Sequence, residues 1–505
     1  MRGFFYRFCK HLSFASVSFI GATVLFMPWC HVSCKKTIIP SIITGDITVN
    51  NRPMEGVVVV LTHPRFGMVS TVTDADGVFT FTNVWGGTCT VTPQLEGYTF
   101  SPRSVVIDSR VGFVQPIHFH TVVTWARVFR ASYDNGAYAV KQTADGGYIV
   151  AGYTYVDEKR NYDAFLKKLD MYGNEEWMRT YGGPLYDMAY SVEQTADGGY
   201  IVAGVQETQE TSDDSGRIIS GQISVWKTNA AGEVQWEVVE GGIEWDVARC
   251  VRVTSDGGYI VAGYSDSGEL SNVRVLKIRS DGVVEWDRTY DGSHNFDRSY
   301  AIVQTKDGAY IVAGTTEFFG TDESQAWILK LRNDGNDEWM NWYSYPGVER
   351  NEWRDIVVGG SGEEWVAAGY FEGGEFGYSD TWIMGVDDDG TRLWSGTAGT
   401  SLYHKSYALD GAGASGYILA GYRWNNNEKS KDIALVRMDA DGGLMWEKAF
   451  SGEAGNSDEA YAVQAASDGG FVLAGKSRSL DGGDDVVVIK TDEYGDVSGI
   501  RDGIR

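Results

Sequence analysis

From about residue 135 to the end of the chain, apolar positions alternate with small or polar ones in runs of seven to nine residues. No run carries the three- or four-residue spacing of a helical stripe, so the pattern predicts β-strands. One phrase punctuates it: GGYIVAG stands at 146–152, 198–204 and 257–263, and returns as GAYIVAG, EWVAAG, GYILAG and GGFVLAG. The closing glycines, Gly152, Gly204, Gly263, Gly314, Gly369, Gly421 and Gly475, lie 51 to 59 residues apart. That period belongs to a propeller or a solenoid. Four strands fit each unit; in the second they are AYSVEQT (189–195), GYIVAGV (199–205), QISVWKT (222–228) and EVQWEVV (233–239).

Turn chemistry supports the same division. Asp-Gly-Gly at 145, 197, 256 and 468 supplies the positive φ of a tight hairpin between the first two strands. A second hairpin reads D/N-x-x-G-x-x-x-W or a near variant, as in DMYGNEEW (170–177) and DADGGLMW (439–446). Its tryptophans fall at Trp125, Trp177, Trp236, Trp286, Trp339, Trp394 and Trp446. The series therefore starts one strand before the first full unit and is missing from the last. TWARVF (124–129) is expected to supply the fourth strand of the seventh unit and to remove an open sheet edge. The expected fold is all-β: a seven-bladed β-propeller with four-stranded blades, closed by an N-terminal strand and preceded by a small β-sandwich.

The D-x-x-G-x-x-x-W hairpins resemble the quinoprotein-like (PQQ-like) β-propeller repeat over about 125–495. That family includes quinone-dependent dehydrogenases and non-enzymatic scaffold lipoproteins of the bacterial outer membrane. The resemblance implies that the seven tryptophans pack between blades. The dehydrogenases carry adjacent half-cystines over their cofactor, and this chain has no adjacent cysteines, so no quinone is expected.

Residues 45–121 break the period. G-x-I at Gly45, P-x-x-G-V-x-V at Pro53–Val59, T-D-x-D-G-x-F-x-F at Thr73–Phe81, V-x-x-G-T at Val84–Thr88 and Y-x-F-S-P at Tyr98–Pro102 resemble the carboxypeptidase regulatory-like (transthyretin-like) domain. The resemblance implies a spacer or adhesive module, not a peptidase. Asp74 and Asp76 could hold calcium, but an Asp-rich hairpin turn accounts for them. His118 and His120 share one face of a strand at a metal-compatible spacing with no third ligand in view.

Residues 1–34 read as an export signal, with Arg2, Arg7 and Lys10 ahead of an uncharged run from Leu12 to Trp29. HVSC at 31–34 resembles the bacterial lipobox, which makes Cys34 a lipidation site, 35–44 a tether and 122–505 the propeller; His31 departs from the usual aliphatic residue. An uncleaved anchor and ordinary secretion are the alternatives. The expected location is the cell envelope, at the periplasmic or outer surface of the outer membrane. The chain carries a net charge of −26, and loss of the three basic signal residues lowers it further. Such a field excludes nucleic acid as a partner. We expect a monomer that binds a protein or a glycan and holds the membrane through its lipid.

A functional residue in a repeat protein shows as an exception to the repeat. A polar position recurs before each first strand as Asn135, Asp187, Asp246, Asp297, Glu352, His404 and Asp458, and small residues follow two places later. Arg354 breaks the small-residue rule in a unit that also lacks Asp-Gly-Gly. The candidate site is accordingly the mouth between units five and six: Arg354 as donor to an anion or sugar hydroxyl, Glu352 and His404 beside it, and Trp353 and Tyr345 as stacking surfaces. No metal site and no catalytic residue are expected. The insertion 206–222 is polar and expected to be irregular. The function expected is non-enzymatic binding or scaffolding; the alternative is an enzyme acting on polysaccharide or, further off, a quinone-dependent oxidoreductase.

Overall fold

Each repeat folds as four antiparallel strands laid down in chain order. In the first these are Asn135–Gln142, Tyr148–Val156, Asn161–Leu169 and Glu175–Tyr181. The computed structural model describes residues 40–497 except 50–51, 96–97, 110–115, 132, 157–160, 214–215, 243–244, 267–269, 291–295, 319–322, 361, 363, 374–377, 400–402, 414–415, 453–454 and 480–481, and the side chains of 208–219. Cys34, the expected signal 1–34 and residues 35–39 lie outside the described residues. The described residues contain no α-helix.

The Asp-Gly-Gly hairpins work as their composition dictates. Gly146 sits at φ +86°, open to glycine at no cost, and Asp145 Oδ1 accepts the Gly147 N–H at 2.9 Å. The closing glycine of the repeated phrase has a different reason. A Cβ on Gly152, Gly204 or Gly263 would run into the first-strand carbonyl of Gly136, Met188 or Val247, where a β-bulge brings that backbone close. The same encounter recurs at Gly314, Gly369, Gly421 and Gly475.

The first strands of successive sheets touch one another all the way round, and the last, Asp458–Ala465, returns to meet Asn135–Gln142. Four-stranded sheets arranged radially in a closed circuit are a β-propeller. Circuit closure extends to the outer edge. The final sheet runs in the order Trp125–Phe129, Asp484–Thr491, Phe471–Arg478, Asp458–Ala465, with Trp125 opposite Lys490 and Phe129 opposite Val486. A strand from before the first repeat thus completes the sheet of the last.

Neighbouring sheets pack through the repeat tryptophans. Ring centroids of Trp125, Trp177, Trp236, Trp286 and Trp394 lie 5.6, 6.0, 5.7, 6.1 and 5.7 Å from Tyr148, Tyr200, Tyr259, Tyr310 and Tyr417 of the next sheet. Trp446 meets Phe471 at 6.1 Å, and Trp339 donates its indole N–H to the Asp388 carbonyl at 3.1 Å. A second repeated device joins strands one to three. Lys168, Lys227, Lys277 and Lys490 are buried on third strands and pair with the hairpin aspartates Asp145, Asp197, Asp256 and Asp468 at 2.8–3.0 Å. The fifth repeat, which lacks Asp-Gly-Gly, has Gly385 in the lysine position, with the Trp394 ring against it. In the fifth repeat acid and base are both absent; the sixth, AGASG at 412–416, keeps a buried base in that position, Arg437, which donates to the Ala412 carbonyl at 3.3 Å.

The second and third strands of the second repeat extend through Tyr200–Asp213 and Gly216–Thr228, and they pair out to Asp213 opposite Gly216. The expected irregular insertion at 206–222 is therefore corrected: its backbone continues the hairpin, with Gln206 opposite Gln222 and Asp213 opposite Gly216.

Ahead of the ring come β1 (Ser41–Val49), β2 (Arg52–Pro53), β3 (Val58–His63), β4 (Gly67–Val72), β5 (Val78–Val84), β6 (Thr88–Gln94), β7 (Thr99–Ser101), β8 (Val105–Asp108) and β9 (Ile117–Val122). One sheet runs β2-β1-β9-β7 with β5 also on β1, the other β4-β3-β6-β8, and both contribute to one core around Ile47, Val59, Phe79, Val91 and Phe119. β1 begins at Ser41, inside the expected tether, because Ile43 and Ile47 bury the same face. This unit is tied to the last sheet of the ring. Arg103 pairs with Asp492 and Asp496 at 2.5 Å and lies 4.4 Å over the Tyr494 ring, while Ser101 Oγ donates to Glu493 at 2.7 Å.

Candidate functional site

The first strands begin at one mouth of the ring, and their side chains descend the axis in layers. At the rim, the polar residues that open these strands face the turns between sheets. The carboxylates of Asp187, Asp246 and Asp458 accept the backbone N–H of Gly183, Gly242 and Gly452 at 2.8, 3.1 and 2.7 Å. Asn351 plays this part in the fifth repeat, its Oδ1 accepting the Tyr345 N–H at 2.7 Å.

That register differs by one residue from the expected one. Trp353 pairs with Gly369 as Ala137 pairs with Gly152, so Trp353, not Arg354, holds the small-residue position, and Asn351, not Glu352, holds the rim position. The reason is loop length. Six residues, 359–364, join the first two strands of this repeat where five, 143–147, serve in the first, so counting back from the glycine falls one residue short.

Three candidates move as a result. Trp353 is fully buried 4.0 Å from Trp382, and Tyr345 stacks on Phe371 at 4.1 Å; both rings are spent on packing within their own repeat. His404 aligns with Asn351, is fully buried, and has Nδ1 2.7 Å from Thr381 Oγ1 and Nε2 3.6 Å from Glu447. It does not join Arg354 in the channel. Glu352 does, through a direct ion pair.

Arg354 instead belongs to a layer that the sequence spells in every repeat: Tyr138, Tyr190, Arg249, Tyr300, Arg354, Tyr407 and Tyr461. Each is the extra, unpaired residue of a bulge, so its side chain turns to the axis. The rings form a collar: Tyr461 lies 5.4 Å from Tyr138, Tyr138 4.9 Å from Tyr190, and Tyr407 stacks on Tyr461 at 5.3 Å. Arg249 lies 4.1 Å over Tyr190 and Arg354 4.2 Å over Tyr300. These residues help to wall an axial cavity of about 510 Å³. Its far end holds Lys141, Arg252, Asp355 and Asp410. The acids there are committed to the frame: Asp355 and Asp410 each accept a backbone N–H of the next sheet, from Leu409 and Ala465, at 2.9 Å.

Burial sets the protonation of the collar. It raises the phenols of Tyr138, Tyr190, Tyr300 and Tyr407 above their ordinary values, with Arg354 and Arg249 acting against that rise at Tyr300. The tyrosines are therefore neutral hydroxyls and the arginines are charged. Three guanidinium Nε–H groups, on Arg249, Arg298 and Arg354, are buried with no acceptor among the described residues. Such a layer can hold a ligand by stacking and by hydrogen bonds from charged donors.

His118 and His120 go separate ways, the first to Asp46 and the second to the Asp468 carbonyl at 3.0 Å. Asp74 Oδ1 accepts the N–H groups of Asp76 and Val78 at 3.0 and 2.8 Å.

No protein-family model and no curated protein sequence matches the chain. Among solved structures, an ulvan lyase, described as a new family of polysaccharide lyase, is 9% identical, covers 71% of this chain and 95% of its own, and superposes at a TM-score of 0.47. A protein of unknown function from Dyadobacter fermentans is 10% identical over 73% of this chain and 98% of its own, at 0.43. The WD40 domain of Pan2 from Neurospora crassa is 11% identical over 70% and 88%, at 0.41. At these scores the likeness adds nothing to the topology above. The strand circuit and its axial layer define the class on their own: a β-propeller with an arginine–tyrosine collar in its channel.

Proposed function

We propose that the chain is a bacterial extracytoplasmic lipoprotein, anchored through Cys34, that binds a glycan or a protein partner at the propeller face where the first strands begin. It has a small β-sandwich followed by a seven-bladed propeller of quinoprotein-like repeats and works as a monomer without a bound cofactor. The single observation that carries the reading is the axial cavity walled by Arg249, Arg354 and neutral tyrosines. Its volume of about 510 Å³ is that of a small-ligand pocket.

The second reading, an enzyme acting on polysaccharide, draws on Tyr300, a phenol with Arg354 stacked on it. Burial raises that phenol's pKa, which disfavours the phenolate a proton-abstracting base would need. A thermal-shift screen against glycans, calcium and pyrroloquinoline quinone tests the proposal. A saturable shift with one glycan, lost in Arg354→Ala, supports it. Depolymerisation of that glycan, or a coloured quinone-bound protein, would put an enzyme in its place. A flat screen would leave the protein-partner arm, to be tested by capture from envelope extracts.

A further inference from the structure

The strongest unassigned feature is the asymmetry of the collar. Its cationic members stand on the third and fifth repeats, with Tyr300 of the fourth between them and Arg298 on the rim side of that tyrosine. Counter-charge there is thin. Arg354 is paired with Glu352 and donates to the Tyr370 hydroxyl at 3.0 Å; Arg298 reaches Asp266 at 3.2 Å and Glu317 at 3.5 Å. Arg249 has no carboxylate within ion-pair distance among the described residues, and it donates to the Tyr264 hydroxyl at 3.3 Å. A guanidinium out of bulk water with unused donors is costly unless a ligand supplies the acceptor. This cluster stands in a chain of net charge −26, where chance would place acids.

Aromatic rings pack around it, in contact from the rim inward. Tyr133, about half exposed, lies 4.4 Å from Tyr155; Tyr155 lies 5.3 Å from Tyr162, and Tyr162 is 5.6 Å from Tyr153. From Tyr153 the contacts continue at 5.5 Å to Tyr138, 4.9 Å to Tyr190 and 4.1 Å to Arg249. Tyr133 and Tyr155 flank the rim ends of their strands and Tyr153 is buried, so these contacts join the rim to the collar through the packed interior, while the tyrosines that face the cavity are those of the collar itself. Tyrosine faces receive the C–H faces of sugar rings, and a guanidinium fork receives a carboxylate or a sulfate.

We infer that the channel takes an anionic sugar, its carboxylate or sulfate held between Arg249 and Arg354 beside Tyr300 and its ring lying against the collar tyrosines Tyr138, Tyr190, Tyr407 and Tyr461 that line the cavity. The inference rests on the glycan reading of the same face and narrows it. An acidic peptide would use the arginines but has no need of the five tyrosine rings that surround them in the cavity wall.

Isothermal titration of the full chain with two matched pairs tests it: a dextran oligosaccharide against its sulfated form, and an oligogalacturonate against its methyl ester. The expected result is that the charged member of one pair binds at least roughly tenfold tighter than its neutral partner. Which pair shows the preference tells sulfate from carboxylate. Arg249→Met should abolish the preference, and Arg249→Lys, which keeps the charge without the fork, should retain part of it. The wild-type comparison stands whether or not either variant folds. Equal affinity within both pairs would overturn the anion inference and leave the glycan face intact. No binding by any of the four would overturn both.

Discussion

Replacing Trp125 by alanine should destabilise the ring more than the same change at any exposed tryptophan. Trp125 stands on the strand that completes the last sheet, is 5% exposed, and packs between that sheet and the first around Tyr148, Val472 and Val488. Its indole also donates to the Met171 carbonyl at 3.0 Å, and its face covers Gly173. Truncating a buried tryptophan costs about 3–5 kcal/mol in transfer and cavity terms, and the lost hydrogen bond adds about 1 kcal/mol. For a ring of this size that corresponds to a fall in melting temperature of order 5 °C. The matched control is Trp342→Ala, where the side chain is 46% exposed and the expected loss is under about 1 kcal/mol. Scanning calorimetry of both variants reads the difference. If Trp125→Ala melts within a degree or so of Trp342→Ala, the closing strand does not hold the ring and the reasoning fails.

Asp468→Asn should cost about 3–5 kcal/mol, because it leaves the fully buried Lys490 ammonium without its 2.8 Å partner; the double variant with Lys490→Met should recover most of the loss in a denaturant titration. Gly204→Ala should abolish soluble expression or lower the melting temperature steeply, since its Cβ would collide with the Met188 carbonyl; a near-wild-type melt would contradict the bulge geometry. Burial, with the nearby charges of Asp432 and Glu428 adding to it and hydrogen bonds from Ser477 and Gly452 opposing, raises the Asp458 carboxyl from 3.8 to about 6. The folded state then holds a proton that the unfolded state has lost, so this contribution is complete below about pH 4 and disappears as pH rises through 6, at most about 3 kcal/mol. Asp458→Asn should remove that decline, and parallel pH–stability curves for wild type and variant would refute it.

The architecture was legible in the chain because it is repeated. A glycine required by a bulged backbone, an aspartate required by a tight hairpin and a tryptophan required between sheets each recur at a fixed place, so strand order and the closing strand TWARVF could be read without coordinates. Repetition also set the limit. The fifth repeat adds one residue to its first hairpin, and that insertion moved Arg354 from the small-residue position to the collar and put Trp353 in its stead. The collar itself had a signal that went unread: YAV, YSV, RCV, YAI, RDI, YAL and YAV at 138, 190, 249, 300, 354, 407 and 461. An aromatic residue in a strand gives no hint that a bulge turns it to the axis. The lysines paired with the hairpin aspartates were missed for a related reason, since a charged residue within a strand reads as solvent-facing until its partner is known.

The most direct test of the account is a difference electron-density map from crystals of the protein soaked with the tightest-binding oligosaccharide of the panel. Density inside the axial cavity, with a sugar ring against the tyrosine collar and polar contacts to Arg354, is the predicted result. Density confined to the outer surface of the ring or to the N-terminal sheets, with the cavity unchanged, would contradict the claim that the channel is the binding site.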